Sequence, residues 1–265
     1  MGTPHFQTET LEHGPNFVLG RTTGFTRKRL TVTGVDVPEP LRILHITDIH
    51  ALPRWQPAYD KLLARIADNT PDLILMTGDY VDDRFDHREA VPILRKLLAG
   101  FTAKHGVFAI VGNHDTDLLI PKLGDMGVTV LCNQLAFAGG LEIVGLAGVR
   151  RGEVSRAWLG TLPEPERPRV LLTHYPDALR THGPLGASLV LAGHTHGGQV
   201  CLPGGKPLIT HDTLGPGFHR GAHRYENAVL LVGTGLGCST HHVRTWCPPE
   251  VWEVVLTPSQ SDESP

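Results

Sequence analysis

The sequence predicts an α/β fold in which a helix-covered parallel sheet is followed by a half richer in antiparallel strands. Three observations carry that expectation. In the first half, short apolar runs alternate with amphipathic stretches in the order strand, helix, strand, helix, strand. Each apolar run stops at a polar cluster, as in an open sheet whose carboxyl-terminal strand ends carry a site. From Val128 to Ala147 the apolar runs crowd together, with too little chain between them for crossover helices.

Residues 1–25 mix Gly, Thr, His and Glu without a sustained period and are expected to form a poorly ordered arm. Thr26 to Val37 alternates in part, as an edge strand or hairpin does, and Pro38 and Pro40 end it. Leu41 to Ile46 is a buried strand stopping at Thr47-Asp48-Ile49-His50. Next comes a helix with Pro57 in its first turn, where a missing N–H costs nothing, and with Tyr59, Leu62, Leu63 and Ile66 on one face. After Pro71, Leu73 to Met76 is a second buried strand, ending at Gly78-Asp79. Ala90, Ile93, Leu94 and Leu97 line a second helix, which starts either at an Asp86 cap with Glu89 three residues on or at Pro92. Val107 to Val111 is a third strand and runs into Gly112-Asn113-His114-Asp115.

A short helix near Leu118 to Met126 leads to Val128–Cys132, Leu135–Ala138 and Leu141–Ala147, expected to meander antiparallel. Val170 to Thr173 ends at His174, and Ser188 to Ala192 ends at Gly193-His194-Thr195-His196. Gly198 to Cys201, Ala228 to Val232 and Val251 to Leu256 complete the strands. Between them, the loops Gly204–Arg224 and Gly235–Pro249 are too rich in Gly, Pro and His to read by periodicity. Residues 258–265 are expected to be a disordered tail.

The 265 residues suffice for a sizeable core, and no linker divides them. A hydrophobic content of 40%, a charged content of 19% and a net charge of −3 describe a globular chain with no basic face for extended nucleic-acid binding. The 16 His stand out and suggest metal or proton chemistry. Cys132, Cys201, Cys238 and Cys247 lie far apart without a C-x-x-C pair, so they are expected to be reduced and packed. No apolar run approaches the ~20 residues of a membrane span, which makes a cytoplasmic location, at most peripheral to a membrane, the default. Oligomeric state is not legible.

The strand-end groups are Asp48, His50, Asp79, Asn113, His114, His174, His194 and His196. These oxygen and imidazole donors suit Mn, Fe, Zn or Ni better than Mg or Ca. On extended backbone, Asp-x-His and His-x-His point both side chains to one face. With His114 set aside, seven ligands exceed one ion and fit two, with one carboxylate bridging.

The motifs Asp48-Ile49-His50, Gly78-Asp79, Gly112-Asn113-His114-Asp115, His174 and Gly193-His194-Thr195-His196 resemble, in order, those of the calcineurin-like metallophosphoesterase superfamily. Gly197-Gly198-Gln199, Gly235-Leu236-Gly237 and Pro248-Pro249-Glu250 extend the likeness toward the bacterial YkuE/YaeI-like branch. It covers residues from about 26 to the end. The resemblance implies a single domain over 26–257 built as two packed mixed β-sheets flanked by helices, an αββα sandwich. It implies a dinuclear phosphoesterase that hydrolyses a phosphodiester or pyrophosphate bond by in-line attack of a metal-bridging hydroxide. Asp48, His50 and His196 would hold the first ion, Asn113, His174 and His194 the second, and Asp79 would bridge.

His114 would serve the leaving oxygen, with Asn113 beside it at the substrate. The carboxylate behind His114 in phosphoprotein phosphatase relatives matches Asp82, with Asp115 as an alternative orienter or a structural cap. Arg244 matches a position where relatives often carry Arg, so the resemblance implies a phosphate or substrate contact, whereas Arg84 stands one place beyond the related Arg and takes no role. His45 reads as a core residue, and His211, His219, His223, His241 and His242 as solvated loop residues. The implied substrate is a small-molecule or lipid-head-group phosphoester. Two alternatives stay open: a phosphomonoesterase or nuclease of the same superfamily, and a metal-free interaction scaffold with this fold.

Overall fold

The structure is a computed structural model, and it describes residues 3–147, 154–210, 214–215 and 217–258. In chain order the first half forms β1 (His5–Glu12), β2 (Phe17–Leu19), β3 (Thr26–Thr33), β4 (Leu41–Ile46), α1 (Pro57–Asp68), β5 (Leu73–Met76), α2 (Ala90–Leu98), β6 (Val107–Ala109), α3 (Leu119–Gly124) and β7 (Thr129–Val130). The second half adds β8 (Gln134–Ala138), β9 (Leu141–Gly145), α4 (Arg156–Leu159), β10 (Arg169–Leu172), α5 (Ala178–His182), β11 (Leu189–Ala192), β12 (Cys201–Leu202), β13 (Lys206–Pro207), β14 (Gly221–Tyr225), β15 (Ala228–Val232), β16 (Val243–Thr245) and β17 (Glu250–Thr257).

Two mixed sheets result, in the orders β1-β3-β17-β4-β5-β6-β7 and β14-β15-β11-β10-β9-β8. The central strands are continuous apolar runs because both of their faces are covered. In β5, Leu73 and Leu75 face the second sheet and meet Val170, Leu172, Leu189 and Leu191 in a shared core. Ile74 and Met76 face the other way, onto Tyr59, Leu62 and Ile66 of α1 and Leu94 and Leu97 of α2. The outer face of the second sheet buries Leu171, Val190 and Leu230 against Leu179 of α5, with Trp158 and Leu159 of α4 packed beside them. The layers are therefore helix, sheet, sheet, helix, as the family resemblance implied.

Several elements differ from the expectations. Residues 5–12, expected within a loose arm, form the outer strand of the first sheet, antiparallel to β3. Their side chains are mostly exposed, so only the backbone ladder holds them and no periodicity announces them. With that edge covered, β3 is an interior strand between β1 and β17 rather than an edge. The meander holds only for β8 and β9: β7 pairs parallel with β6, and β9 parallel with β10, so the chain crosses between sheets there. In α1, Pro57 takes the first turn as expected. Asp86 does not cap α2; its carboxylate is held by Arg88, and the helix begins at Ala90 with Pro92 in its first turn. Most of the expected tail lies outside the described residues.

The strands β4, β5 and β6 of one sheet and β10 and β11 of the other deliver their carboxyl ends to one place. Across the far part of the second sheet, Arg169 and its register partner Glu142 form an ion pair, both 2% exposed, with Nη2 to Oε2 at 2.6 Å. Glu142 also accepts the Glu166 amide, and Arg169 donates to the Leu185 and Pro163 carbonyls. Arg169→Met leaves the Glu142 charge buried without its partner, at a cost of about 3–5 kcal/mol. Thermal unfolding should show the loss, and the double variant Arg169→Met/Glu142→Leu should recover part of it.

Candidate metal centre

The strand-end loops converge because carboxylates and backbone amides tie them together. Asp115, 1% exposed, accepts N–H bonds from Asp79 (2.7 Å) and Gly112 (2.8 Å) on Oδ2 and from Tyr80 (2.9 Å) on Oδ1. This joins the loop after β5 to the turn after β6. The turn in turn donates the His114 amide to Asp79 Oδ1 at 2.8 Å. The other oxygen, Oδ2, is left 3.6 Å from His50 Nε2 and 3.4 Å from His174 Nε2. Asp48 is divided in the same way: Oδ2 accepts the Thr47 hydroxyl at 2.6 Å and the His194 amide at 3.1 Å, while Oδ1 faces His196 Nε2 at 3.2 Å.

These arrangements need close backbone approach. A Cβ on Gly112 would stand 2.2 Å from Asp79 Oδ1, and one on Gly193 would stand 2.4 Å from Asp48 Oδ2. The backbone of the ligand residues is not extended as the spacing argument assumed. Asp48, His50, Asp79, His194 and His196 all lie at positive φ, between 42° and 71°. Side chains separated by one residue converge here through left-handed turns, a conformation L-residues adopt only where the surroundings enforce it.

Two donor groups emerge around Asp79. Asp48, His50 and His196 form one, with His50 Nε2 and His196 Nε2 3.1 Å apart. His174 forms the other with Asn113, whose Oδ1 lies 3.0 Å from His174 Nε2. His194 packs its ring against His174, with centroids 5.1 Å apart. His174 donates Nδ1–H to the Thr77 carbonyl at 2.7 Å, which turns the Nε2 lone pair to the site. Burial alone would raise the Asp48 carboxyl, but the imidazoles of His196, His174 and His50 outweigh it and hold it well below its usual range. Asp79 is held low in the same way, by His174 first. Burial opposes a charge on His174, yet Asp79 overrides it and raises the ring to about 9. Burial pushes His194 down to about 3 and His196 to about 4, so their rings stay neutral at neutral pH. In the sets Asp48–His50–His196, Asp48–Asp79–His174 and His50–Asp79–His114, carboxylate oxygens and imidazole nitrogens lie within 4.8 Å of one another, a donor chemistry that fits a metal pair.

Two expected contacts differ. The Asp82 carboxylate does not stand behind His114. Its Oδ1 faces His50 Nδ1 at 3.2 Å, and its Oδ2 is 2.8 Å from His242 Nε2. His114 is oriented by the main-chain carbonyl of Asp82, 2.6 Å from Nδ1, because the turn after Asp79 brings backbone to that ring. Burial works against the Asp82 charge, but His50 and His242 lower its carboxyl to about 2. Arg244 is no substrate contact: it is 0% exposed, and its guanidinium donates to the Gly237 and Thr234 carbonyls and faces His196 Nδ1 at 3.1 Å. It positions a ligand loop from behind. Of the two readings of Asp115, the structural one fits its contacts: it accepts three backbone N–H groups, and burial and Asp79 raise it to about 7.

His45 is a core residue, as read, with Nε2 3.0 Å from the Thr77 hydroxyl. His242, read as solvated, supports Asp82; His223 Nε2 meets the Arg220 carbonyl at 2.7 Å; His211 lies outside the described residues. Tyr175 went unnoticed in sequence. Its ring packs edge-on against His174 and His194, and its place directly after a strand-end His was the available signal.

The sequence model of the calcineurin-like phosphoesterase family matches residues 41–198, more than half of the chain. The chain is 34% identical over 205 residues to an uncharacterized metallophosphoesterase, YkuE, of Bacillus subtilis, covering 72% of this chain and 69% of the relative. It is 29% identical over 230 residues to the phosphodiesterase YaeI of Escherichia coli, covering 82% of each. It is 26% identical over 272 residues to the UDP-2,3-diacylglucosamine pyrophosphatase LpxG of Chlamydia trachomatis, covering 80% of this chain and 82% of the relative.

Two variants check the geometry. Gly112→Ala should displace the Asp79 carboxylate and strip metal from purified protein by elemental analysis, with the far-ultraviolet dichroism retained. Asp82→Asn should weaken metal affinity about 10–100-fold through His50, measured by chelator competition, while turnover at saturating metal stays near that of the parent. A large loss of turnover at full occupancy would instead return Asp82 to a direct catalytic role.

Proposed function

The chain belongs to the calcineurin-like phosphoesterase family and is a metal-dependent phosphoric ester hydrolase; from that premise we propose that it cleaves a phosphodiester or pyrophosphate linkage in a small molecule or lipid head group. The observation that carries the reading is the position of Asp79 Oδ2 between His50 and His174, at 3.6 and 3.4 Å, with its other oxygen occupied by the His114 amide. One carboxylate thus faces both donor groups at once. Asp48, His50 and His196 would hold the first ion, Asn113, His174 and His194 the second, with Asp79 shared. When bound, such a pair lowers the pKa of water and neutralises phosphoryl oxygens. Mn, Fe, Zn or Ni suits this donor set.

His114 holds the proton for the leaving oxygen. Its Nδ1–H is engaged by the Asp82 carbonyl, its ring meets His50 edge-on at a centroid distance of 4.6 Å, and it is half-buried beside the ligands. The ring is therefore aimed by contacts on one nitrogen, which leaves Nε2 for the substrate. A diester carries one negative charge at the reacting phosphorus and a monoester up to two. Arg244, which faces His196 Nδ1, has its donors engaged by carbonyls and that ring, so it does not offer a guanidinium to a second phosphoryl charge. The names of the YaeI and LpxG relatives favour the same linkages.

Purified protein loaded with Mn should hydrolyse bis-p-nitrophenyl phosphate faster than p-nitrophenyl phosphate; the reverse order would favour the monoesterase reading. His114→Asn should keep its metal and lose about 10²–10⁴ in kcat. Asp79→Asn should lose metal from both positions in elemental analysis. A chain that binds no metal and is indifferent to chelators would be a scaffold.

A further inference from the structure

Four short strands form a ribbon behind the metal ligands. β2 pairs antiparallel with β16, setting Phe17 against Thr245 and Leu19 against Val243. Val200 bridges to Thr245, β12 pairs with β13, and the Leu208 amide donates to the Val200 carbonyl at 3.1 Å. Alternation gives the ribbon two faces. Val18, Arg244 and Cys201 are buried toward the site, where Arg244 touches His196. On the other face Phe17, Leu19, Leu202 and Leu208 are exposed at 62, 68, 47 and 58%, with Ile209 and Trp246 exposed at its margins. Two more exposed apolar side chains, Phe85 and Leu118, stand on the loops that follow Asp82 and His114.

A contiguous apolar face of this kind marks a contact surface. Charge identifies its occupant. Residues 16–21, 199–210 and 241–248 contain no carboxylate, in a chain with 27 Asp and Glu, whereas Arg21 and Lys206 are exposed there. A second copy presenting the same face would set cation against cation. An anionic bilayer complements both the apolar side chains and the cations, and an exposed Trp beside aliphatic side chains suits the headgroup level. We propose that the outer face of this ribbon seats the protein on an anionic lipid bilayer, one strand's thickness from His196.

Docking does not depend on the hydrolytic reading, and the test separates the two. The full chain, with metal or after chelation, is sedimented with vesicles of phosphatidylcholine alone or mixed with phosphatidylglycerol. Binding is expected to the mixed vesicles, weakening with salt. Phe17→Ser/Leu19→Ser and Leu208→Ser/Ile209→Ser should each reduce it about tenfold or more, with unchanged thermal midpoints and unchanged turnover of a soluble diester. Phe137→Ser, on the outer strand of the second sheet, should bind as the parent does. Absence of parent binding to mixed vesicles overturns the proposal, as does equal binding by the ribbon variants. Self-association of the parent that these variants abolish, without vesicle binding, would assign the face to a second copy.

Discussion

A buried carboxylate behind the candidate metal donors organises this molecule. Asp115 collects three backbone N–H groups from the loop after one strand and the turn after the next, and so sets the separation of Asp79 and Gly112. Burial gives water no access to compete with these bonds, and the Gly112 and Tyr80 N–H groups favour the ionised carboxyl against burial and Asp79. Through the His114 amide the same bracing decides which Asp79 oxygen stays available. Gly112 is confined by that arrangement, since any side chain would collide with the oxygen it helps to place.

Around this brace, the donor residues occupy backbone conformations that cost of order 1–3 kcal/mol each. Five ligand positions carry a positive φ. The enclosing sheets supply the opposing stability: apolar strands covered on both faces, with residues such as Leu75, Leu172 and Leu191 fully buried between them. A rigid double sheet thus sustains irregular loops, and the supports are individually visible. Thr77 orients His174, Thr47 and the His194 amide hold Asp48, and Arg244 gathers the carbonyls behind His196.

How much was legible follows the physics of each segment. The bounds of β4, β5 and β15 match their apolar runs because burial on both faces leaves a continuous signal. The donors were legible because strand ends juxtapose residues that turn signals already set apart. β1 was not, since an exposed strand held by its ladder has no hydrophobic period. The parallel partner of the two-residue β7 depends on β6, not on its own side chains. Asp82 and Arg244 were misassigned for a common reason. Their sequence positions match reactive groups of relatives, whereas their direction depends on loop paths: one reaches His50 and His242, and the other turns inward to main-chain oxygens.

The donor set also has a bearing on how the chain matures. Asp48 touches His196, and Asp79 touches His174, across long stretches of sequence and across the seam between the sheets. Neither half alone assembles either donor group, so a nascent chain has no high-affinity trap for ions until both sheets have docked. An ion held by either group would thus be taken up only once the two sheets have docked.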